Sequence, residues 1–132
     1  MSTIFTKIVN GEIPCYKIAE TENCLAFLDV FPLVAGHTLV IPKKEIDYIF
    51  DVEDDLLAEL TVFAKNVAKA VELAIPCKRV GVAVIGLEVP HAHIHLVPLN
   101  KMDDINFSRP KISLSEVEMK LIQEKIIGKL IV

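Results

Sequence analysis

The stretch HAHIHLV, residues 91–97, is the most informative part of this chain of 132 residues, because it holds three of the four histidines at alternate positions. In a β-strand, alternate side chains share one face and the rise is about 3.3–3.4 Å per residue. His91, His93 and His95 would then form a row of imidazoles over roughly 13 Å, with the apolar residues between them on the opposite face. Core packing does not need three titratable rings in a row, so the pattern indicates a functional site.

Two kinds of chemistry fit such a row. Zinc binds histidine nitrogens at about 2.0–2.1 Å, so an H-x-H pair with a third ligand from elsewhere would make a metal site. Alternatively, one imidazole attacks phosphorus while its neighbours donate hydrogen bonds or protons to phosphate oxygens. His91 and His95 would lie far apart for a single ion, so an extended phosphate chain matches the row better.

The sequence around the row predicts an α+β fold. Apolar side chains recur at spacings of three and four over residues 54–73, which predicts one long helix. Pro76 ends it, since proline cannot continue the helical ladder and restricts the residue before it. Residues 4–9 predict a short apolar turn or helix. Short apolar runs between turn residues predict five strands, at residues 16–19, 25–29, 36–42, 80–85 and 91–99.

After the fifth strand, residues 100–111 are polar and predict a loop. Ser113 and Glu116 form an S-x-x-E capping box, which predicts a helix that closes the chain. Residues 128–132 are too apolar for a free tail and are expected to dock on this subunit or on a partner. No linker composition or repeat divides the chain, so one domain over residues 1–132 is expected.

Composition narrows the class of protein. The chain is 52% hydrophobic, with a mean hydropathy of +0.46, so surplus apolar surface predicts a homodimer that uses the long helix and the fourth strand. A net charge of −4 argues against a specific nucleic-acid partner. No apolar run approaches the ~20 residues that span a bilayer and no signal peptide is seen, which predicts a cytoplasmic protein with no membrane partner. Cys15, Cys24 and Cys77 are too widely spaced to indicate a disulfide framework or a cysteine zinc knot.

Residues 91–97 resemble the H-φ-H-φ-H-φ-φ signature of the histidine triad (HIT) family of nucleotide hydrolases and transferases, in particular its Hint-like and bacterial hydrolase branch. Residues 4–14, 25–30 and 36–43 resemble the opening, the second strand and the third strand of that family. The last 30 residues are outside the resemblance. It implies a HIT-like fold, with a five-stranded antiparallel sheet and flanking helices, usually in a homodimer whose two sheets join.

The resemblance also implies roles for individual residues. His93 would attack the α-phosphate to give a nucleotidyl-histidine intermediate that water resolves. His95 and His37 would hydrogen-bond phosphate oxygens, and His91 would orient its neighbours. Asp29 matches the carboxylate that takes ribose hydroxyls. The residues that match the apolar base pocket are Phe5, Ile8, Ile13, Phe27 and Val30.

The sequence departs from the family pattern in two places. Glu88 stands at about the position of a Ser or Thr that touches the phosphate, and a carboxylate beside a polyphosphate costs Coulomb energy. Glu88 therefore turns away, accepts a hydrogen bond or raises the pKa of a neighbouring histidine. Some bacterial members carry a zinc-binding C-x-x-C at the opening, where this chain has Thr3 and Thr6, so no structural zinc is expected.

Together these features predict a hydrolase of nucleoside 5′-phosphoryl derivatives, either phosphoramidates or dinucleoside polyphosphates, which works without a cofactor. The third triad residue is His95 instead of the Gln that accompanies uridylyl transfer in the family, which favours hydrolysis. Two alternatives stay open from the residues alone. One is a metal-dependent hydrolase that uses the histidine row as ligands, and the other is a non-catalytic nucleotide-binding dimer.

Overall fold

The computed structural model describes residues 2–131, and it is built around one five-stranded antiparallel sheet in the order β1-β2-β3-β5-β4. The strands are Lys17–Glu20 (β1), Cys24–Leu28 (β2), Thr38–Pro42 (β3), Arg79–Ala83 (β4) and Ile94–Leu99 (β5). The helices are Ile4–Val9 (α1), Asp54–Ala74 (α2) and Glu116–Ile127 (α3), with short 3₁₀ turns at Ile49–Asp51 and Met102–Ile105. The predicted α+β class is confirmed, as are the antiparallel sheet, the long helix and the C-terminal helix.

One face of the sheet is covered by α2 and α3. The buried stripe of α2 includes Leu60, Val67 and Val71, which pack in one cluster with Val40 of β3 and Leu96 of β5. Two aspartates in the first turn of α2 interact favourably with the positive end of the helix dipole. The predicted helix therefore forms where the apolar spacing placed it, and it ends at Ala74, two residues before Pro76.

The opposite face carries α1 and a smaller apolar cluster, made of Phe5, Leu25, Phe27, Leu39 and Ile41. Because both faces are covered, all five residues of β2 and all five of β3 are buried. This explains why these strands are continuously apolar instead of alternating. Among residues 2–131, no helix is both long and apolar enough to cross a membrane.

The strand that carries the histidine row is shorter than predicted. It begins at Ile94, so His91 and His93 precede it. The amide of His91 donates to the carbonyl of Val89 at 2.8 Å, and the amide of Ala92 donates to the carbonyl of Ile46 at 2.6 Å, instead of joining the ladder with β3. The prediction of one continuous strand over residues 91–99 was therefore wrong.

The capping box of the last helix is also displaced from its predicted position. The Ser115 hydroxyl accepts a hydrogen bond from the amide of Glu118 at 3.1 Å, while the Glu118 carboxylate accepts one from the amide of Ser115. The box predicted at Ser113 and Glu116 is wrong by two residues. Beyond α3, Leu130 packs on the core while Ile131 is exposed, so the predicted docking of the tail holds for Leu130; Val132 lies outside the described residues.

Candidate active site

A cavity of about 490 Å³ opens on the face of the sheet that carries α1. Every residue predicted for the site except His37 and His91 lines it, namely Phe5, Ile8, Ile13, Phe27, Asp29, Val30, Glu88, His93 and His95. His37 and His91 are fully buried. His95 reaches this face because it pairs with Leu39 of β3, whose side chain belongs to the same cluster as Phe5.

His93 has one ring nitrogen bound and one free. Its Nδ1 lies 2.7 Å from the carbonyl oxygen of His91, and a carbonyl only accepts, so Nδ1 carries the proton. The unprotonated nitrogen is then Nε2, on a ring that lines the cavity. Edge-to-face contacts with Phe5 and His95, at centroid distances of 5.0 and 4.9 Å, hold the ring in place.

His37 and His95 form a hydrogen-bonded pair whose proton positions follow from the main chain. The amide of Leu33 donates to His37 Nδ1 at 3.0 Å, so the His37 proton sits on Nε2. That Nε2–H donates to His95 Nδ1 at 2.9 Å, which places the His95 proton on its own Nε2. Burial lowers the pKa of His37 to about 3 and the pKa of His95 to about 4, so both rings are neutral near pH 7. His95 therefore offers the cavity an uncharged N–H donor.

His91 points away from the cavity, which corrects the expectation of three rings in one row. Its Nε2 donates to the carbonyl of Pro42 at 2.8 Å, and its Nδ1 lies 3.1 Å from the Thr3 hydroxyl. Because the ring proton is on Nε2, Nδ1 accepts a hydrogen bond. The Thr6 hydroxyl lies 3.4 Å from Nδ1 but donates to Glu45 at 2.6 Å, so the Thr3 hydroxyl is the donor to Nδ1. Burial lowers the pKa of His91, which keeps the ring neutral. His91 contributes its carbonyl to His93 and no ring nitrogen to the cavity.

Glu45 was missed by sequence reasoning. Its carboxylate accepts from the amide of Thr3 at 2.8 Å as well as from the Thr6 hydroxyl, and these hydrogen bonds lower its pKa. It thereby ties the start of α1 to the turn that follows β3. No local pattern marks this contact, because it joins positions that are about 40 residues apart.

Asp29 lies at the end of β2, beside the histidine pair. Its Oδ1 accepts from the amide of Phe31 at 2.8 Å, and its Oδ2 is 3.7 Å from His37 Nε2. Since His37 is neutral, this contact is not an ion pair at neutral pH. Burial raises the pKa of Asp29, and the charge of Glu88 adds to that effect, whereas Lys111 opposes it.

Two further lining residues come from the segment that sequence reasoning treated as a polar loop. The Phe107 ring packs edge-on against His95 at a centroid distance of 4.7 Å. The Lys111 ammonium lies 5.2 Å from the centre of the Phe107 ring, within cation–π range. Phe107 is the only aromatic residue between positions 100 and 111, and that isolation was the one signal the sequence offered.

A family model described as the HIT domain matches residues 10–102. The chain belongs to the HIT family. An adenosine 5′-monophosphoramidase, hnt1, from Schizosaccharomyces pombe is 37% identical over 133 residues, covering 98% of this chain and 99% of the yeast protein. The Saccharomyces cerevisiae adenosine 5′-monophosphoramidase HNT1 is 38% identical over 96 residues, covering 72% of this chain and 61% of its own length.

Solved HIT structures share the fold along nearly the whole chain. A HIT-like protein from Bartonella henselae, described as involved in cell-cycle regulation, matches with a TM-score of 0.85 at 28% identity, covering 98% of this chain and 96% of its own. A zinc-bound histidine triad family protein from Mycobacterium smegmatis matches with a TM-score of 0.80 at 29% identity, covering 97% and 95%.

The donor set at the opening of this HIT protein does not fit a zinc ion. Thr3 and Thr6 offer hydroxyls, which are weak zinc ligands, and both hydroxyls already hydrogen-bond to His91 or Glu45. His91 Nδ1, the nitrogen beside them, is occupied by the same network. These side chains satisfy one another as hydrogen-bond donors and acceptors.

A second group of candidate ligands lies nearer the cavity. One atom from each of Asp29, His37 and His95 falls within 4.8 Å of the others. The amide of Leu33, however, donates to His37 Nδ1 and so keeps the proton on Nε2, the nitrogen that faces the group. To bind a metal through Nε2, His37 would have to carry its proton on Nδ1, where it would face the amide N–H of Leu33. The geometry therefore favours a hydrogen-bonded histidine pair over a metal site.

Glu88 lies at the rim of the cavity in a connection that is otherwise apolar. Its side chain forms no hydrogen bond or ion pair with the described residues 2–131, and its preceding neighbour, Leu87, is 89% exposed. The Ser or Thr hydroxyl expected from the family pattern is therefore replaced by a solvated charge.

Proposed function

We propose that this HIT protein hydrolyses nucleoside 5′-phosphoryl derivatives, phosphoramidates or dinucleoside polyphosphates, through a nucleotidyl intermediate on His93. The observation that supports this most directly is the 2.7 Å contact between His93 Nδ1 and the carbonyl of His91, since it leaves an unprotonated Nε2 on a ring at the cavity. Relatives named adenosine 5′-monophosphoramidase support the same substrate class.

In the first step, His93 Nε2 uses its lone pair to form an N–P bond with the α-phosphorus, and the bond from phosphorus to the leaving atom breaks. The leaving atom takes the bonding electron pair and a proton from solvent. In the second step, water attacks phosphorus, releases one proton to solvent, and the N–P electron pair returns to His93. The products are a nucleoside monophosphate and the free leaving group, and one water is consumed.

The neighbouring residues bind and orient the substrate in this proposal. His95 is neutral, so it keeps its proton and donates an Nε2–H hydrogen bond to a phosphoryl oxygen, which is worth more as charge develops there. His37 donates a hydrogen bond to His95 Nδ1 and so keeps the His95 proton on Nε2. Asp29 is available for ribose hydroxyls, and the apolar lining around Phe5 and Phe27 can receive a base.

The first experiment tests the nucleophile. The protein is incubated with adenosine 5′-phosphoramidate in the presence of a chelator, and release of AMP is measured. Under alkaline denaturing conditions, mass spectrometry should find one nucleotidyl group on the peptide that contains His93. We expect His93→Gly to lose turnover by about 10³-fold or more while AMP affinity stays within about tenfold, because the nucleophile acts mainly in the transition state.

The matched control is Lys120→Met, an exposed position on α3, which should retain wild-type turnover. Loss of activity in the chelator, restored by a metal, would favour the metal-dependent alternative. AMP binding without any turnover would favour the non-catalytic nucleotide-binding dimer. The expected cytoplasmic location and the absence of a specific nucleic-acid partner stay predictions.

A further inference from the structure

The segment after β5 continues beyond residue 102, where the match to the family model ends, and it is held in place by its own hydrogen bonds. The Asp104 carboxylate accepts from the amides of Asn100 and Lys101, at 2.8 and 3.0 Å. Farther along, the amide of Ile112 donates to the carbonyl of Pro32 at 2.9 Å. These two anchors hold the intervening residues beside the cavity.

Phe107 and Lys111 lie between the anchors. Phe107 contacts His95, the residue that donates a hydrogen bond to the phosphoryl group in the proposed reaction, and Lys111 sits over the Phe107 ring. Among the described residues that line the cavity, Lys111 is the only lysine or arginine. Its charge also lowers the pKa values of Asp29, His37 and His95, which is consistent with an ammonium that faces the same space.

A polyphosphate substrate would need a positively charged side chain such as Lys111 in this cavity, because the acidic residues there repel it. Asp29 and Glu88 both line the cavity, and the neutral His95 brings no positive charge to offset them. Each phosphate beyond the α-phosphorus adds negative charge, which two carboxylates oppose. A phosphoramidate whose leaving group is ammonia adds none.

We propose that Lys111, supported by Phe107, is a specificity-determining residue that binds an anionic leaving group, the phosphate chain beyond the α-phosphorus of a dinucleoside polyphosphate. This inference rests on the proposed function. Its kinetic test requires that the protein turns over these substrates, whereas its binding test requires only that the protein binds nucleotides. Lys111 thus favours polyphosphate substrates over substrates whose leaving group is an uncharged amine.

The kinetic test compares kcat/KM for diadenosine triphosphate and for adenosine 5′-phosphoramidate in the wild type, Lys111→Met, Lys111→Arg and the control Lys120→Met. We expect Lys111→Met to reduce kcat/KM for the triphosphate about tenfold, as for loss of one charge-assisted contact, and for the phosphoramidate less than threefold. Lys111→Arg should retain most of the triphosphate activity, and Lys120→Met should retain both.

The binding test uses ADP and AMP, which differ by one phosphate at the leaving-group position, with calorimetry on the His93→Gly background to prevent turnover. Lys111→Met should lower the ratio of ADP to AMP affinity about tenfold. If the wild type turns over neither substrate, the proposed function fails, while this ratio still decides the role of Lys111. Equal losses for both substrates, or an unchanged affinity ratio, would overturn the inference.

Discussion

At the scale of single residues, the main chain decides what each histidine can do. Carbonyl oxygens accept hydrogen bonds from ring N–H groups of His91 and His93, while the amide of Leu33 donates to His37, and these three contacts fix the tautomers of those rings. The three histidines of residues 91–95 therefore differ: His93 has a free nucleophilic nitrogen, His95 offers an N–H donor, and both ring nitrogens of His91 are hydrogen-bonded. The residue pattern predicted the cluster and the family resemblance implied the roles, but the positions of the protons could not be predicted. Two of the contacts that decide them, from His91 to Pro42 and from His37 to His95, join distant parts of the chain.

The lowered pKa values of His37 and His95 make stability depend on pH. In the unfolded chain a histidine has a pKa near 6.5. Between pH 6.5 and about 4 the unfolded chain therefore binds more protons than the folded one. The free energy of unfolding should therefore fall as pH falls through this window, with each histidine contributing up to about 1.4 kcal/mol per pH unit. Burial raises the pKa of Asp29, which works in the opposite direction.

Chemical denaturation at a series of pH values between 4 and 7 measures this dependence. We expect His37→Gln to reduce the slope of the unfolding free energy against pH by the contribution of about one proton. The control Phe50→Leu, at an exposed position, should keep the wild-type slope. Parallel pH curves for the wild type and His37→Gln would show that His37 is not held neutral in the folded protein.

At the scale of elements, local patterns located helices and strands but not their ends. The spacing in α2 is repeated over 21 residues, so it predicted that helix well. Before α3, two overlapping S-x-x-E patterns, at Ser113 and Ser115, compete as caps, and local chemistry cannot choose between them. Burial of Met119 and Ile126 against the core selects the helix that begins after Ser115.

The turn before β3 shows the same limit and yields a stability prediction. The strand was predicted from residue 36, but Gly36 has a φ of +92° and so belongs to a turn, which leaves β3 to begin at Thr38. A Cβ built on Gly36 would lie 2.8 Å from Ile75 Cγ1 and 3.2 Å from Pro98 Cγ. Gly36→Ala would thus combine backbone strain with overlap next to His37.

We expect Gly36→Ala to reduce the free energy of unfolding by about 2–4 kcal/mol, the sum of a strained φ and an overpacked contact. Gly11→Ala is the matched control, because Gly11 also has a positive φ, +78°, but a Cβ there meets nothing within 4 Å. It should cost only the backbone share, about 1–2 kcal/mol. Urea denaturation of the two variants checks the difference, and equal losses would mean that the contacts with Ile75 and Pro98 relax freely.

At the scale of the whole molecule, β4 is an edge strand, and apolar side chains are exposed beside it. Val82 pairs with Leu96, so its side chain lies on the face that α2 covers, yet it is 63% exposed. On α2, Val62 and Leu73 are 58% and 64% exposed, and eleven residues are about three helical turns, so they share one side of the helix. An open edge with an apolar border is the kind of surface that proteins cover by association.

The homodimer predicted from composition should therefore form through β4 and α2, with the two β4 edges pairing. Sedimentation at micromolar protein should give a species of twice the 14.7 kDa chain mass. Val82→Lys places a charge at this border and should shift the equilibrium toward monomer by about tenfold or more, since an unpaired charge buried in an interface is costly. Val117→Lys on α3, 68% exposed, is the control that should sediment like the wild type. A wild-type chain that sediments only at 14.7 kDa would refute the dimer, and a dimer insensitive to Val82→Lys would place its interface on another surface.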